Sequence, residues 1–310
     1  MSSPYVRRLR LGMELRALRD ERNLTQARVA RLISRTRNDI SRLENAQAID
    51  PADVLNILEA LGVEDERWTE LTEITQDAVR RSWWESVKHI GERQALYANL
   101  ESGAATIREY HQTALPGLLQ IPDYTRSMAI ASAAVEATPL PVDGILAGRA
   151  GRQRNLRRPG GPRLEVVVDE YCIQRPLAPA GVVKRQLRHL AKVGESTMPN
   201  VSLRVLPIQR PLKDFVATRS AFFMYTYPDP KDPRVVAIEQ VISESVLLGN
   251  ALACKDSSHA SRVRACVCAR RPCSRMGART VHELSLGYGE LSHPRACART
   301  RLHALGHSRV

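Results

Sequence analysis

The apolar positions of the first 80 residues recur with helical spacing. Leu11, Leu15 and Leu18 fall at i, i+4 and i+7, so a helix over 5–22 gathers them on one face. Asn23 breaks the pattern. Thr25 is a good N-cap for a second helix over 26–33, which buries Val29, Ala30 and Ile33. Ala30 is small enough to let two helices cross closely. After a short connection at Ser34-Arg35, Thr36 caps a third helix over 37–45 with Ile40 and Leu43 as its buried pair. Asp50-Pro51 opens a fourth, an N-cap followed by proline at the first helical position. It presents Val54, Ile57, Leu58 and Leu61 on one face and ends at Gly62, and 64–79 supplies a fifth helix.

The texture changes after residue 79. Residues 80–110 read as largely helical and link two domains, with Trp83 and Trp84 as packing residues. A turn is expected at Pro116-Gly117, a helix from about Pro122, and another turn around Gly160-Gly161-Pro162. Residues 164–170 read as a buried strand, 182–193 as a helix, and 201–207, 220–227 and 234–242 as further strands. The expected fold is multidomain: an all-α helix-turn-helix domain of five helices over 1–79, then an α+β regulatory or partner-binding domain over 80–250.

From residue 249 onward the periodicity is lost. Residues 251–310 hold five of the six cysteines and five of the eight histidines. Three readings of this basic tail stand side by side. Abrupt enrichment in Arg, Ala, Cys and His is what a shifted reading frame in GC-rich coding sequence gives. A disordered basic arm that attracts phosphate is the second reading. A zinc site from Cys266, Cys268, Cys273 and a histidine is the third, but its spacing matches zinc pairs poorly.

Charge sharpens the picture. Of a formal net +13, residues 1–45 contribute a surplus of six basic side chains and residues 251–310 a surplus of eight, so the middle is near neutral. No stretch approaches the ~18 uncharged apolar residues of a membrane span, and the first residues carry no secretory apolar region. A cytoplasmic protein is expected, and a secreted disulfide framework is not.

Short helices joined by tight turns, with a polar third helix, make a helix-turn-helix unit. A helix fits the major groove, and its first turn reaches base edges while its capping amides approach phosphate. Arg37, Asn38, Ser41 and Arg42 lie on or near that leading face, with Thr36 at its cap. Gln26 and Arg35 are better placed for phosphates, which position the protein without reading sequence. Two such helices in a homodimer would lie about 34 Å apart on a palindromic site.

Residues 24–45, LTQARVARLISRTRNDISRLEN, resemble the XRE-type family, the Cro and lambda-repressor class. Thr25, Gln26, Ala30, Ile40, Ser41, Arg42, Leu43 and Glu44 match its pattern. Ser34 and Ala46 depart from it, standing where relatives often have glycine. Asp39 departs too: Thr36-x-x-Asp39 has capping-box spacing, while an acid in this helix also alters sequence preference.

Residues 115–126, 148–153, 167–176, 185–190, 200–207 and 235–239 resemble the C-terminal domain of many actinomycete XRE-type regulators, a toxin–antitoxin-like domain of unassigned chemistry. That resemblance implies signal sensing or partner binding, the partner often being a small acidic protein encoded nearby. Two functions follow as expectations. One is a sequence-specific transcriptional regulator on double-stranded DNA. The other is an antitoxin-like protein whose main role is to bind the small acidic partner. No enzyme, cofactor or metal is expected. Asp169-Glu170 with His111 or His189 could be imagined as an acid–base set, but nothing in the sequence fixes their geometry.

Overall fold

The computed structural model describes residues 3–47, 49–134, 139–209, 220–239 and 244–248. Its first part is five helices: α1 (Pro4–Glu21), α2 (Gln26–Leu32), α3 (Arg37–Glu44), α4 (Pro51–Ala60) and α5 (Asp65–Ala78). Each boundary lies within about a residue of where the periodicity and caps put it. Ser3, Thr25, Thr36 and Asp50 accept hydrogen bonds from backbone amides in the first turns of α1 to α4.

The first four helices also end alike. Asn23, Ser34, Ala46 and Gly62 follow them in the left-handed region, with φ of 53°, 55°, 59° and 62°. One residue later an amide closes back five residues: Leu24 N to Arg19 O at 3.1 Å, Arg35 N to Ala30 O at 2.8 Å, Gln47 N to Arg42 O and Val63 N to Leu58 O, both at 2.9 Å. These turns fold the helices around Leu11, Leu15, Leu18, Val29, Ile40 and Leu58.

The second part carries α6 (Glu92–Glu101), β1 (Thr106–His111), α7 (Pro122–Ala133), α8 (Val142–Arg157), β2 (Arg163–Asp169), α9 (Tyr171–Gln174), α10 (Ala180–Lys192), β3 (Val201–Leu206), β4 (Phe222–Thr226), β5 (Val235–Glu239) and β6 (Glu244–Leu248). The six strands form one sheet in the order β3-β2-β1-β4-β5-β6. β1, β2 and β3 run parallel, and β4, β5 and β6 add antiparallel. The α+β expectation holds.

The largely helical reading of 80–110 does not. A short 3-10 turn at Trp83–Ser86 and helix α6 are there, but Gly103 at φ 79° follows the end of α6 and the chain becomes β1, a central strand. Ile107, Glu109 and His111 alternate with Arg108 and Tyr110, a period of two that the charged side chains disguise. Helix α8 was not foreseen, because Gly144, Gly148 and Gly151 weaken its helical signal. All three are contact points: added Cβ atoms there would lie 2.3 Å from His89 O, 2.6 Å from Ile90 Cγ1 and 2.2 Å from the Trp83 ring. Trp84 is buried, and Trp83 stands edge-on to it, so both are packing residues.

Helix α1 serves two cores. Leu11, Leu15 and Leu18 face the helical domain, whereas Val6 and Leu9 pack into the larger core with Leu100 and Tyr227. Polar contacts follow the same seam. Ser3 Oγ and Tyr5 N both donate to Asn99 Oδ1 of α6, at 2.9 and 3.0 Å. Arg10, 2% exposed, donates to Asp229 and Asp232 of the β4–β5 turn and to Glu70 of α5.

No helix among the described residues is long and apolar enough to cross a membrane. The Cys/His-rich stretch 251–310, with its frameshift, basic-arm and metal readings, lies outside the described residues. Cys172 is inside them, buried and free, with Sγ donating to His111 O at 3.4 Å.

Candidate nucleic-acid interface

The geometry of the helix-turn-helix unit is set by one buried carboxylate. Glu44, on the last turn of α3, accepts from Arg19 Nε at 2.6 Å, Arg19 Nη2 at 3.0 Å, Gln26 Nε2 at 2.9 Å and Arg16 Nε at 3.4 Å. It therefore ties α3 to α1 and to the start of α2. Burial alone would lift its pKa, but the hydrogen bonds from Arg19 and Gln26 and the Arg19 charge outweigh that and hold the carboxyl below its ordinary value. Gly12 completes the junction. A Cβ there would meet Glu44 O at 2.5 Å, so α1 crosses the end of α3 at backbone contact.

The other end of α3 is fixed by a full capping box. Asp39 N donates to Thr36 Oγ1 at 3.2 Å, and Thr36 N donates back to Asp39 Oδ2 at 3.0 Å. The Thr36 hydroxyl also donates to Asp39, and these bonds hold the Asp39 carboxyl below its usual range. Capping accounts for the acid in this helix without an appeal to altered base preference.

Between these anchors stand the expected contact residues. Arg37, Asn38 and Arg42 are exposed, and among the described residues no hydrogen bond or ion pair restrains their side chains. Ser41 is half-buried and accepts from Asn45 Nδ2 at its hydroxyl and its carbonyl. Arg35 is exposed, but its Nε donates to Asp53 Oδ1 of α4 at 2.8 Å and its Nη2 lies 3.9 Å from Asp50 Oδ2. Gln26 is half-buried and turned toward Glu44 by its amide nitrogen. The structure thus gathers Thr36, Arg37, Asn38, Ser41 and Arg42 on one helix, while Gln26 and Arg35 also carry internal bonds. Exposed Arg28 and Arg31 on α2, not singled out from the sequence, extend the positive surface. Their signal was the charge surplus of residues 1–45.

The imagined acid–base set is not assembled. Asp169 Oδ1 accepts from Tyr171 N at 3.0 Å, and Glu170 accepts from Ile208 N and Gln174 Nε2. His111 instead pairs with Glu109 at 2.9 Å, and His189 lies on α10 with its pKa lowered by burial and by Arg157 and Lys192.

Residues 10–71 match a helix-turn-helix domain, and residues 94–256 match a domain of unknown function, DUF5753, a match that runs past Gly249. No curated protein and no solved structure matches the chain.

Proposed function

Because the chain belongs to the DUF5753 family and carries a helix-turn-helix DNA-binding domain ahead of that region, we propose that it is a sequence-specific transcriptional regulator of the cytoplasm. In this reading α3 enters the major groove. Arg37 and Asn38 read base edges, Arg42 contacts bases or backbone, and Arg35, Gln26 and the capped end of α3 hold the phosphates. The observation that carries the reading is the unrestrained Arg37–Asn38–Arg42 face on a helix whose two ends are fixed. Free, long side chains on a rigid frame suit base readout, since the frame sets register while the heads stay available.

The second domain senses a signal and has no catalytic activity of its own. The shared helix α1 supports the sensing role, because a change in the DUF5753 region bears directly on the DNA-binding core. Binding to DNA from upstream of the protein's own coding sequence tests the reading. The full chain should bind a specific site, and Arg37→Ala combined with Asn38→Ala should reduce it to non-specific binding. If the double variant binds that site as well as the parent, α3 is not the reader.

The alternative, an antitoxin-like protein whose main role is binding a small acidic partner, makes a different prediction. The full chain would then bind DNA weakly until that partner is present. Homodimerisation on a palindrome is a separate expectation. A light-scattering mass of one chain with and without DNA overturns it.

A further inference from the structure

Under the helices that cover the sheet lies a cavity of about 290 Å³. That is close to the lower end of the ~300–1,000 Å³ range of small-molecule sites. One wall is apolar, formed by Ile90, Leu115, Met128, Ile145 and Phe223. The other is charged, and most of its charges are matched. Arg152 pairs with buried Glu101 and donates from Nη1 to Gln94 Oε1 at 3.2 Å, Arg93 pairs with Glu239 at 3.0 Å, and His111 shares a hydrogen bond with Glu109.

Arg149 is the exception. It lines the same space from α8, yet among the described residues no hydrogen bond or ion pair holds its guanidinium, and its Nε is shielded from solvent without a partner. Ile145, Arg149, Arg152 and Leu156 follow at i, i+4, i+7 and i+11, so the helix directs both arginines to its inner face. The head is seated on Gly117. A Cβ at that position would lie 1.4 Å from Arg149 Nη1 and 2.6 Å from its Cζ, so any larger residue would displace it. Burial and the adjacent Arg152 charge pull its pKa down to about 9, which still leaves it protonated at pH 7. Arg149 is half-buried; a cation drawn that far from water without a partner is costly for a fold to keep, and such groups concentrate at binding sites.

We propose that this cavity binds a small monocarboxylate with an apolar body, its carboxylate pairing with Arg149 and its body lying against the apolar wall. The planar guanidinium fork matches a carboxylate bidentately. A phosphate dianion fits less well, because Glu109 and Glu239 line the same cavity and repel a second negative charge. The site deepens the sensing role proposed above and rests on it for its biological meaning. Helix α6 links the two: it supplies Gln94 and Tyr97 to the cavity and Asn99 to the start of α1.

The test uses the full chain with hexanoate and phenylacetate as probes, against hexanamide and inorganic phosphate, read by calorimetry and thermal shift. Saturable binding of a carboxylate, with hexanamide and phosphate at least tenfold weaker, is expected. Arg149→Met should abolish that binding and raise the melting temperature without ligand, since it removes an unpaired, half-buried charge at similar volume. Arg149→Lys, which keeps the charge and loses the fork, should weaken binding about tenfold or more. Failure of both carboxylates to bind overturns the proposal, as does phosphate binding as tightly. An Arg149→Met chain that melts lower than the parent makes Arg149 a structural residue and also overturns it. DNA affinity with and without the bound carboxylate separates the two readings. Binding in the cavity that leaves DNA affinity unchanged upholds the site and removes the sensing role.

Discussion

Arg10 Nη1 donates to Asp229 Oδ2 at 2.5 Å, joining the first helix of the DNA-binding domain to the β4–β5 turn 219 residues further along the chain. Arg10 is buried and also reaches Glu70 and Asp232, so the bond sits in a network of charges and is not a lone surface pair. Burial works against the guanidinium charge, but the Asp229 hydrogen bond and the three surrounding carboxylates outweigh it and raise the Arg10 pKa. Removing one partner leaves a buried charge unmatched, which costs about 3–5 kcal/mol when the pair is well buried. Asp229 is a third exposed, which places its own loss lower. We expect a double-mutant cycle of Arg10→Ala and Asp229→Ala to give a coupling of about 1–3 kcal/mol by denaturant unfolding. The parent should unfold in one transition, because α1 belongs to both cores. The double variant should show two. Additive effects with a single transition in all four proteins would mean that Val6 and Leu9 join the domains without help from this network.

Ser34 and Ala46 stand in the left-handed region at helix ends where Gly62 does the same work. An L-residue with a Cβ is disfavoured there by about 1–2 kcal/mol, partly offset by the greater freedom glycine has in the unfolded chain. Ser34→Gly and Ala46→Gly should therefore each stabilise the protein by about 0.5–1 kcal/mol. Gly62→Ala should destabilise it by a similar amount, and cleanly, since a Cβ at Gly62 would meet nothing within 4 Å. Thermal melts of the three variants check both signs. A lowered midpoint for Ser34→Gly would show that its side chain contributes more than its backbone costs.

These turns also show how much the sequence could reveal. The helical domain was legible almost to the residue, because local signals coincide: Thr25 and Thr36 as caps, Pro51 at a first turn, and Leu11, Leu15 and Leu18 on one face. The exposed face of α3 was legible for the same reason. What was not legible depends on contacts between distant segments. Nothing near Gly12 announces that Glu44 O lies against it. β1 reads as charged and mixed because Glu109 and His111 satisfy each other by a hydrogen bond inside the core. The glycines of α8 look like helix breakers until Trp83 and Ile90 are seen to occupy the space they leave. Gln26 looks like a free amide until Glu44 is placed beside it.

The side chains of α3 and its neighbours should divide by what they contact. Arg35 is tied to Asp53 and aimed by it, a position suited to phosphate. Arg35→Ala should weaken binding on all sequences alike and reduce the slope of log affinity against log salt by about 1. Asn38 is unrestrained near the start of α3. Asn38→Ala should cost about 1–3 kcal/mol on the specific site and little on random DNA, with the slope unchanged. Fluorescence anisotropy over about 50–200 mM salt measures both quantities. If the two variants exchange these signatures, the helix is rotated in the groove relative to the orientation argued here.

The Glu44 junction should give the DNA-binding domain a specific weakness to acid. Its carboxyl is held below its ordinary value in the folded protein, whereas in the unfolded chain it titrates near about 4.3. A depressed acid contributes stability that is fully present above the unfolded pKa and is lost as pH falls through the folded one. The parent should therefore hold its stability from neutral pH down to about 5 and lose the Glu44 share progressively below about 4. Glu44→Gln leaves Arg19 with only the exposed Asp20 as a counter-charge, a loss on the order of 3 kcal/mol at pH 7 and at the low end for buried pairs because Arg16 is half exposed. As pH falls, the difference between parent and variant should shrink, since acid protonates in the parent what the variant has already neutralised. Asp232 works in the opposite direction: burial raises its pKa, so it protonates earlier and leaves the seam to Asp229. Melting curves of parent and Glu44→Gln at pH 7, 5, 4 and 3, with near-ultraviolet circular dichroism of Trp68 beside the helical core, would follow the effect in the right domain. A difference that stays constant down to pH 3 would show that Glu44 acts through shape and not through charge.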